Sequence, residues 1–236
     1  YYNFKESNMF DATMTAGTIR SASAINSAMG RVYANMALAV FTSMVVSFLV
    51  GTNATLLTFF FTGAMKWVVI FAPLVAILGV SFAAENMSKS ALQIFLHGFA
   101  ALMGLSFATI FAVYNMGSIV SAFMAGAVLF AVLSFYGYFT KKDLTGMGSL
   151  MFVGLIAIVI ASIINIFLAS TVFQMVISAI AVIVFLGLTA YDTQKIREIV
   201  TYDNDGKAEV FGALTLYLDF INLFLSLLQL FGGRKD

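Results

Sequence analysis

Long unbroken apolar runs decide what this chain can become. Blocks of about 20 residues with few or no charges recur along most of its length, and about 20 apolar residues is what a helix needs to cross a bilayer. A transmembrane β-barrel would show weak alternations over about ten residues instead, and these are absent. Apolar residues are 61% and charged residues 10% of the 236 positions, a balance that suits a polytopic membrane protein and not a soluble domain. The expected fold class is therefore all-α membrane protein. By length, spans are expected over residues 32–50, 64–84, 92–114, 119–139, 150–168, 172–191 and 210–231, seven transmembrane helices in all. A shorter apolar stretch, Leu56 to Phe61, leads into the second span, and the only proline, Pro73, is expected to kink that span. Residues 1–30, rich in Ser, Ala, Asn, Thr and Met, read as a polar N-terminal leader without the apolar core of a signal peptide. Residues 31–236 read as one transmembrane domain, since no linker is long enough to divide them.

The same composition excludes several chemistries. A net charge of +1, with no basic patch interleaved with aromatics, points away from nucleic acid. The absence of cysteine excludes thiol catalysis, disulfides and thiolate metal sites, and a single histidine, His97, excludes a histidine-based zinc site. No cofactor is expected, and His97 reads best as a packed, hydrogen-bonded side chain. The partners that remain are the lipid bilayer and small ions. Lys5, Arg20, Arg31, Lys89, Lys141, Lys142, Lys195, Arg197 and Lys207 fall on one side of the expected topology, and Lys66, Arg234 and Lys235 on the other. The positive-inside rule then places the N-terminus in the cytoplasm and, for an odd number of spans, the C-terminus outside.

Two acids interrupt this apolar pattern. Asp192 ends the sixth span and Asp219 lies inside the seventh, and the polar link between the two helices is short enough to make them an antiparallel hairpin. An ionisable group at membrane depth is costly, so it faces a protein interior or a wet cavity and pairs with something there. Both acids are expected toward the cytoplasmic end. Two carboxylates held close in a low dielectric cannot both ionise cheaply, so such a pair takes up and releases protons in coupled steps. The same oxygens suit a hard cation such as calcium, although two carboxylates fall well short of the roughly 6 to 8 oxygens of a tight calcium cage, which leaves a weak or transit metal site at Asp192 and Asp219. Neighbours that would line the ion path or pair with the acids are Glu85, Tyr191, Lys195, Arg197, Tyr217 and Asn222. Plainer alternatives exist for both acids: Asp192 as an interfacial charge paired with Lys195 at i, i+3, and Asp219 as a buried acid hydrogen-bonded to Tyr or Asn. Ser121, Ala125 and Gly126 would allow close helix approach.

The segments Ala190-Tyr191-Asp192-Thr193-Gln194-Lys195 and Leu214-Thr215-Leu216-Tyr217-Leu218-Asp219-Phe220-Ile221-Asn222-Leu223-Phe224 resemble the signature of the transmembrane Bax inhibitor motif family, bacterial branch. Residues 135–144, Phe135 to Leu144, and Arg31 to Leu38 look like its other recurring blocks, so the resemblance runs from about Arg31 to the C-terminus. It implies seven helices with the last surrounded by the other six, and a pH-sensitive calcium leak in which the acids matching Asp192 and Asp219 share a proton and gate the pore. If the source is bacterial, it also implies the inner membrane. Members with a basic latch carry an arginine near the end of the second helix, able to pair with the acid matching Asp192. Here Glu85-Asn86 stands there, with Lys89 the nearest cation and Lys195 or Arg197 as substitutes. Two function classes are thus carried forward: the calcium leak, and a non-conducting regulator of a membrane-protein partner or of a stress or cell-death pathway. An enzyme is not expected, because Asp219 is flanked by Leu218 and Phe220 and lacks the Gly-rich companion of intramembrane aspartate hydrolases.

Overall fold

The structure, a computed structural model, describes residues 20–233 and 235. The first 19 residues of the expected leader, the side chain of Glu85, and residues 234 and 236 lie outside that description. Nine α-helices follow one another among the described residues: α1 Ala22–Gly51, α2 Ala54–Phe61, α3 Met65–Ala83, α4 Lys89–Ser106, α5 Ile110–Val113, α6 Met116–Phe139, α7 Thr145–Leu168, α8 Thr171–Tyr202 and α9 Lys207–Phe231. Counting α4 and α5 together, seven helical segments are long and apolar enough to cross a membrane, as the sequence predicts.

Small polar residues set where five helices start. The side chains of Ser21, Asn53, Ser88, Asn115 and Ser170 each accept a backbone N–H from the first turn of α1, α2, α4, α6 and α8. Each such cap satisfies a donor that a helix start leaves orphaned. The residues 22–30 assigned to the leader are therefore the first turns of α1, which starts at a capped serine ten residues ahead of the expected span. Pro73 lies inside α3, which is continuous through it. The third span is broken after Ser106, whose hydroxyl donates to the Val69 carbonyl of α3 (2.7 Å) as well as to Leu102 of its own helix.

The last helix is the core. In its most apolar window 67% of residues are buried, against 6% in α7, so the chain packs around α9 and leaves α7 on the rim. α9 packs chiefly on α8, α1, α6 and α4, whereas α3 is held mainly through α4 and α7 through α8. Its faces are chemically distinct. Phe220 meets Phe123 and Phe130 of α6 edge-on, and Tyr217 meets Phe99 of α4. Close helix contacts rest on glycines other than the expected one. A Cβ on Gly137 would lie 2.1 Å from the Ala190 carbonyl of α8, and one on Gly104 would lie 2.5 Å from the Ser43 carbonyl of α1, so only glycine fits either site. Gly126 faces α9 at ordinary contact distance, and Ser121 and Ala125 are exposed.

The two ends of the bundle are well separated. The chain leaves α9 at Gly232, and the backbones of Gly233 and Lys235 bond to Asn115 and Val113 beside the α5–α6 turn. The start of α9 lies at the opposite end, against α1 and α4. α9 thus runs the full length of the bundle and leaves its C-terminal Lys235 at the end opposite its start.

Candidate functional site

α8 continues 11 residues past its expected end, to Tyr202. The segment after Asp192 keeps a helical period, with Thr193, Ile196 and Val200 buried and Lys195, Arg197 and Glu198 exposed, so the first charge ended the apolar run without ending the helix. The link to α9 is only residues 203–206. Asp192 therefore stands about 15 Å before the end of α8 and Asp219 about 18 Å into α9, at 1.5 Å per residue. Asp219 is the midpoint residue of α9, deeper than the cytoplasmic-end position expected from sequence.

The hairpin brings the two acids together. Their side chains line the same cavity. Asp192 is partly exposed and Asp219 is buried, and Oδ2 of Asp219 has no hydrogen-bond partner. Both line a cavity of about 670 Å³ walled by α7 (Gly148, Ser149, Phe152, Leu155), α8 (Phe185, Leu188, Tyr191) and α9 (Thr215, Leu218, Asn222). The space exists because α7 packs on α8 and leaves a cleft beside α9. Asn222 donates its amide to the Leu218 carbonyl (2.8 Å), which leaves its side-chain oxygen as an acceptor beside the acids. Tyr191 seats its ring against Gly148, where a Cβ would come within 2.5 Å of it. The same tyrosine also lines a polar pocket of about 510 Å³ at the helix end, together with Lys141, Lys142, Asp143, Gln194 and Lys195. Tyr191 thus stands between the two spaces.

Other residues singled out from sequence are placed elsewhere. Lys195 pairs with Glu198 (2.9 Å), which removes the i, i+3 pair with Asp192. Arg197 lies over the Tyr138 ring (4.8 Å) and donates to the Tyr138 carbonyl (2.9 Å). Tyr217 points to the opposite side of α9, where its hydroxyl meets Ser43 Oγ (2.7 Å) and Ser43 in turn donates to the Ala100 carbonyl. Neither Lys195 nor Arg197 replaces a latch, and Tyr217 closes a buried polar contact between α9, α1 and α4. Among the described residues no group of three or more His, Cys, Asp or Glu side chains converges as a metal site.

A second charged centre was missed. Glu209, in the first turn of α9, has a side chain only 1% exposed and receives Arg31 (2.6 Å), Lys89 (2.9 Å) and Arg20 (3.4 Å). Arg31 binds it through both Nε and a terminal nitrogen, the two-pronged geometry that suits a carboxylate. Gly206 makes room: its φ is +75°, and a Cβ there would lie 2.5 Å from Lys89 Nζ. Arg20 also stands 3.9 Å from Asp203 in the link, where burial pushes the Asp203 carboxyl above the ordinary aspartate range and Asp205 adds to that shift. The available signal was an acid in an apolar helix with Gly212 and Ala213, and no cation, at i+3 and i+4 of its own helix. Such an acid needs a partner from another helix. Among the described residues the salt bridges fall on Glu209, Asp203, Glu198 and Asp205 and none on Asp192, so Lys89, the nearest cation to the expected latch position, serves Glu209 instead.

A multi-pass helical membrane protein with seven candidate spans and two acids set against its central helix is the class that fold and site define. Residues 25–236 match the family described as "Inhibitor of apoptosis-promoting Bax1", and the chain belongs to that family. It is 39% identical over 214 residues to the inner membrane protein YbhL of Escherichia coli K12, covering 88% of this chain and 92% of YbhL. It is 37% identical over 228 residues to the Lactococcus lactis protein YrjE, covering 90% of this chain and 94% of that one. A Streptococcus pyogenes membrane protein is 42% identical over 167 residues, 69% of this chain and 72% of its own length.

Proposed function

We propose that this protein is a pH-sensitive cation leak, with calcium as the permeant ion, gated by a proton shared between Asp192 and Asp219. Its relation to the inner membrane protein YbhL supports placing it in the bacterial inner membrane. The observation that carries the proposal is that both carboxyl groups line one cavity, with one buried oxygen unpartnered. An ionised carboxylate only accepts hydrogen bonds, so a bond between two carboxyl groups requires one proton between them. Loss of that proton leaves two like charges in contact inside the bundle, and no salt bridge to Asp192 among the described residues offsets them. Repulsion then separates α8 from α9 and opens the cleft. Two carboxylates, the Asn222 oxygen and the hydroxyls of Ser149 and Thr215 give a passing cation a partial oxygen shell, too sparse for tight retention.

Calcium efflux from proteoliposomes at several pH values tests this. Flux rises as pH climbs through the loss of the shared proton, and Asp192→Asn and Asp219→Asn each flatten that dependence. The double variant resembles either single one, because removing one acid already abolishes the coupling. Independent effects that add, with pH dependence intact, would show that the acids do not act together. Absence of flux at every pH would favour a non-conducting regulator of a membrane-protein partner.

A further inference from the structure

Polar side chains of α9 do not stop at the acid pair. Thr215, Asp219, Asn222, Ser226 and Gln229 recur at spacings of four, three, four and three residues, which puts them on one face of the helix. That stripe runs about 21 Å at 1.5 Å per residue, most of the roughly 30 Å of a hydrocarbon core. The face it occupies looks toward α7 and α8, the two helices that wall the acid cavity. Outward of the acids, Leu155, Phe185 and Asn222 bound the cavity. Beyond them Ser226 is buried and donates to the Asn222 carbonyl (2.7 Å).

At the far end, Gln229 Oε1 accepts from Gln174 Nε2 (2.8 Å) and meets Ser178 Oγ (2.8 Å). Gln174 Oε1 in turn accepts from Asn165 Nδ2 (3.0 Å), and Asn165 Oδ1 accepts the Ser170 N–H (3.2 Å). Side chains of α7, α8 and α9 are thereby tied in one chain of hydrogen bonds, about 15 Å along α9 from Asp219. Polar residues within spans face a protein interior or a wet route, and here the same three helices carry a cavity at one level and an amide knot at the next.

Resting on the acid-gate reading above, we infer that the route from the acid cavity continues outward along this stripe, and that the Asn165–Gln174–Gln229 knot with Ser178 is its outer gate. Phe185 is buried and lines the cavity, Ser178 lies about two turns from it along α8, and there the knot closes the stripe in this structure. Water and ions pass only when the acid gate opens and the knot parts. A purely adhesive role for the knot would tie helices together without changing access to Ser226.

The chain has no cysteine, so single cysteines report access directly. Ser226→Cys lies on the stripe, and Leu223→Cys lies on the packed face of α9 as a control. Both are treated in proteoliposomes of the full chain with a membrane-impermeant cationic methanethiosulfonate. Ser226→Cys is expected to react slowly alone and about tenfold faster when Gln229→Ala removes the knot, the factor carried by one or two interhelical hydrogen bonds. Leu223→Cys stays unmodified in both. Calcium efflux with Gln229→Ala or Gln174→Ala rises at neutral pH while its pH midpoint is unchanged, because the acids are intact. Failure of Ser226→Cys to react in either background overturns the outer route, as does unchanged efflux in both amide variants shown to be folded by their thermal unfolding. The two proposals fail separately. Should the acid variants leave the pH dependence intact while Ser226→Cys reacts under the control of Gln229, the acid gate falls and the outer route stands.

Discussion

Glu209 and Tyr191 show how much one side chain does in this bundle. Glu209 is buried, but two of its cations are half in water, with Arg31 51% and Lys89 36% exposed. Losing the carboxylate leaves those two able to hydrate, so the cost falls below the roughly 3 to 5 kcal/mol of breaking a fully buried pair. Glu209→Gln is expected to destabilise the protein by about 1 to 3 kcal/mol on that basis, read as a lower unfolding temperature in detergent. Glu209→Gln with Arg31→Gln costs less than the sum of the two, because they share one interaction. Tyr191 makes a different prediction. Its ring parts the acid cavity from the polar pocket at the helix end, so Tyr191→Ala joins the two spaces. In the efflux assay that variant raises calcium flux while keeping the pH midpoint; unchanged flux in the folded variant would mean that ions do not pass this residue.

Among elements, α6 and α8 are locked together and α7 is loose. Gly137 lets α6 and α8 approach until a Cβ would overlap the Ala190 carbonyl, two residues before Asp192. Gly104 does the same for α4 against α1, on the side of α9 occupied by Tyr217 and not by the acids. Gly137→Ala and Gly104→Ala are each expected to cost about 1 to 3 kcal/mol through overpacking. Only the first displaces α8 at the level of Asp192. The efflux pH midpoint therefore shifts in Gly137→Ala and holds in Gly104→Ala, and the opposite pattern would separate the midpoint from the position of α8. α7 lacks such a lock on α9, and both proposed gates lie along the face it leaves open.

At the scale of the whole molecule, charge sorts the two ends. Arg20, Arg31, Lys89, Lys141, Lys142, Lys195, Arg197 and Lys207 gather at or near the end where α9 begins, while Lys66 and Lys235 lie toward the other. The positive-inside rule then predicts the α8–α9 link in the cytoplasm and the α2–α3 turn outside. Single cysteines at Asn204 and Thr62 should label from opposite faces of the membrane. Labelling from one face would contradict an odd number of spans between them.

Much of this was legible along the chain because membrane insertion is written locally. Apolar length sets the number of spans, and Asp192 and Asp219 stand out as acids where lipid would exclude them. The family signature around those acids was equally local, and the match over residues 25–236 bears it out. Helix ends were less legible. Ser21 starts α1 inside a stretch too polar to read as a span, and α8 runs on past its first charges as an amphipathic helix. Pairing was not legible at all. Glu209 joins Arg31, 178 residues away, and Lys89, 120 residues away, while Lys195 and Arg197, beside Asp192 in sequence, turn to Glu198 and Tyr138. The reason is geometric: sequence fixes how far a side chain lies along its own helix, but the rotation and packing of neighbouring helices decide which side chain it faces. Only the tertiary structure places Tyr217 away from the acids, leaves α7 off α9 to form a cavity, and ties Gln229 to Gln174.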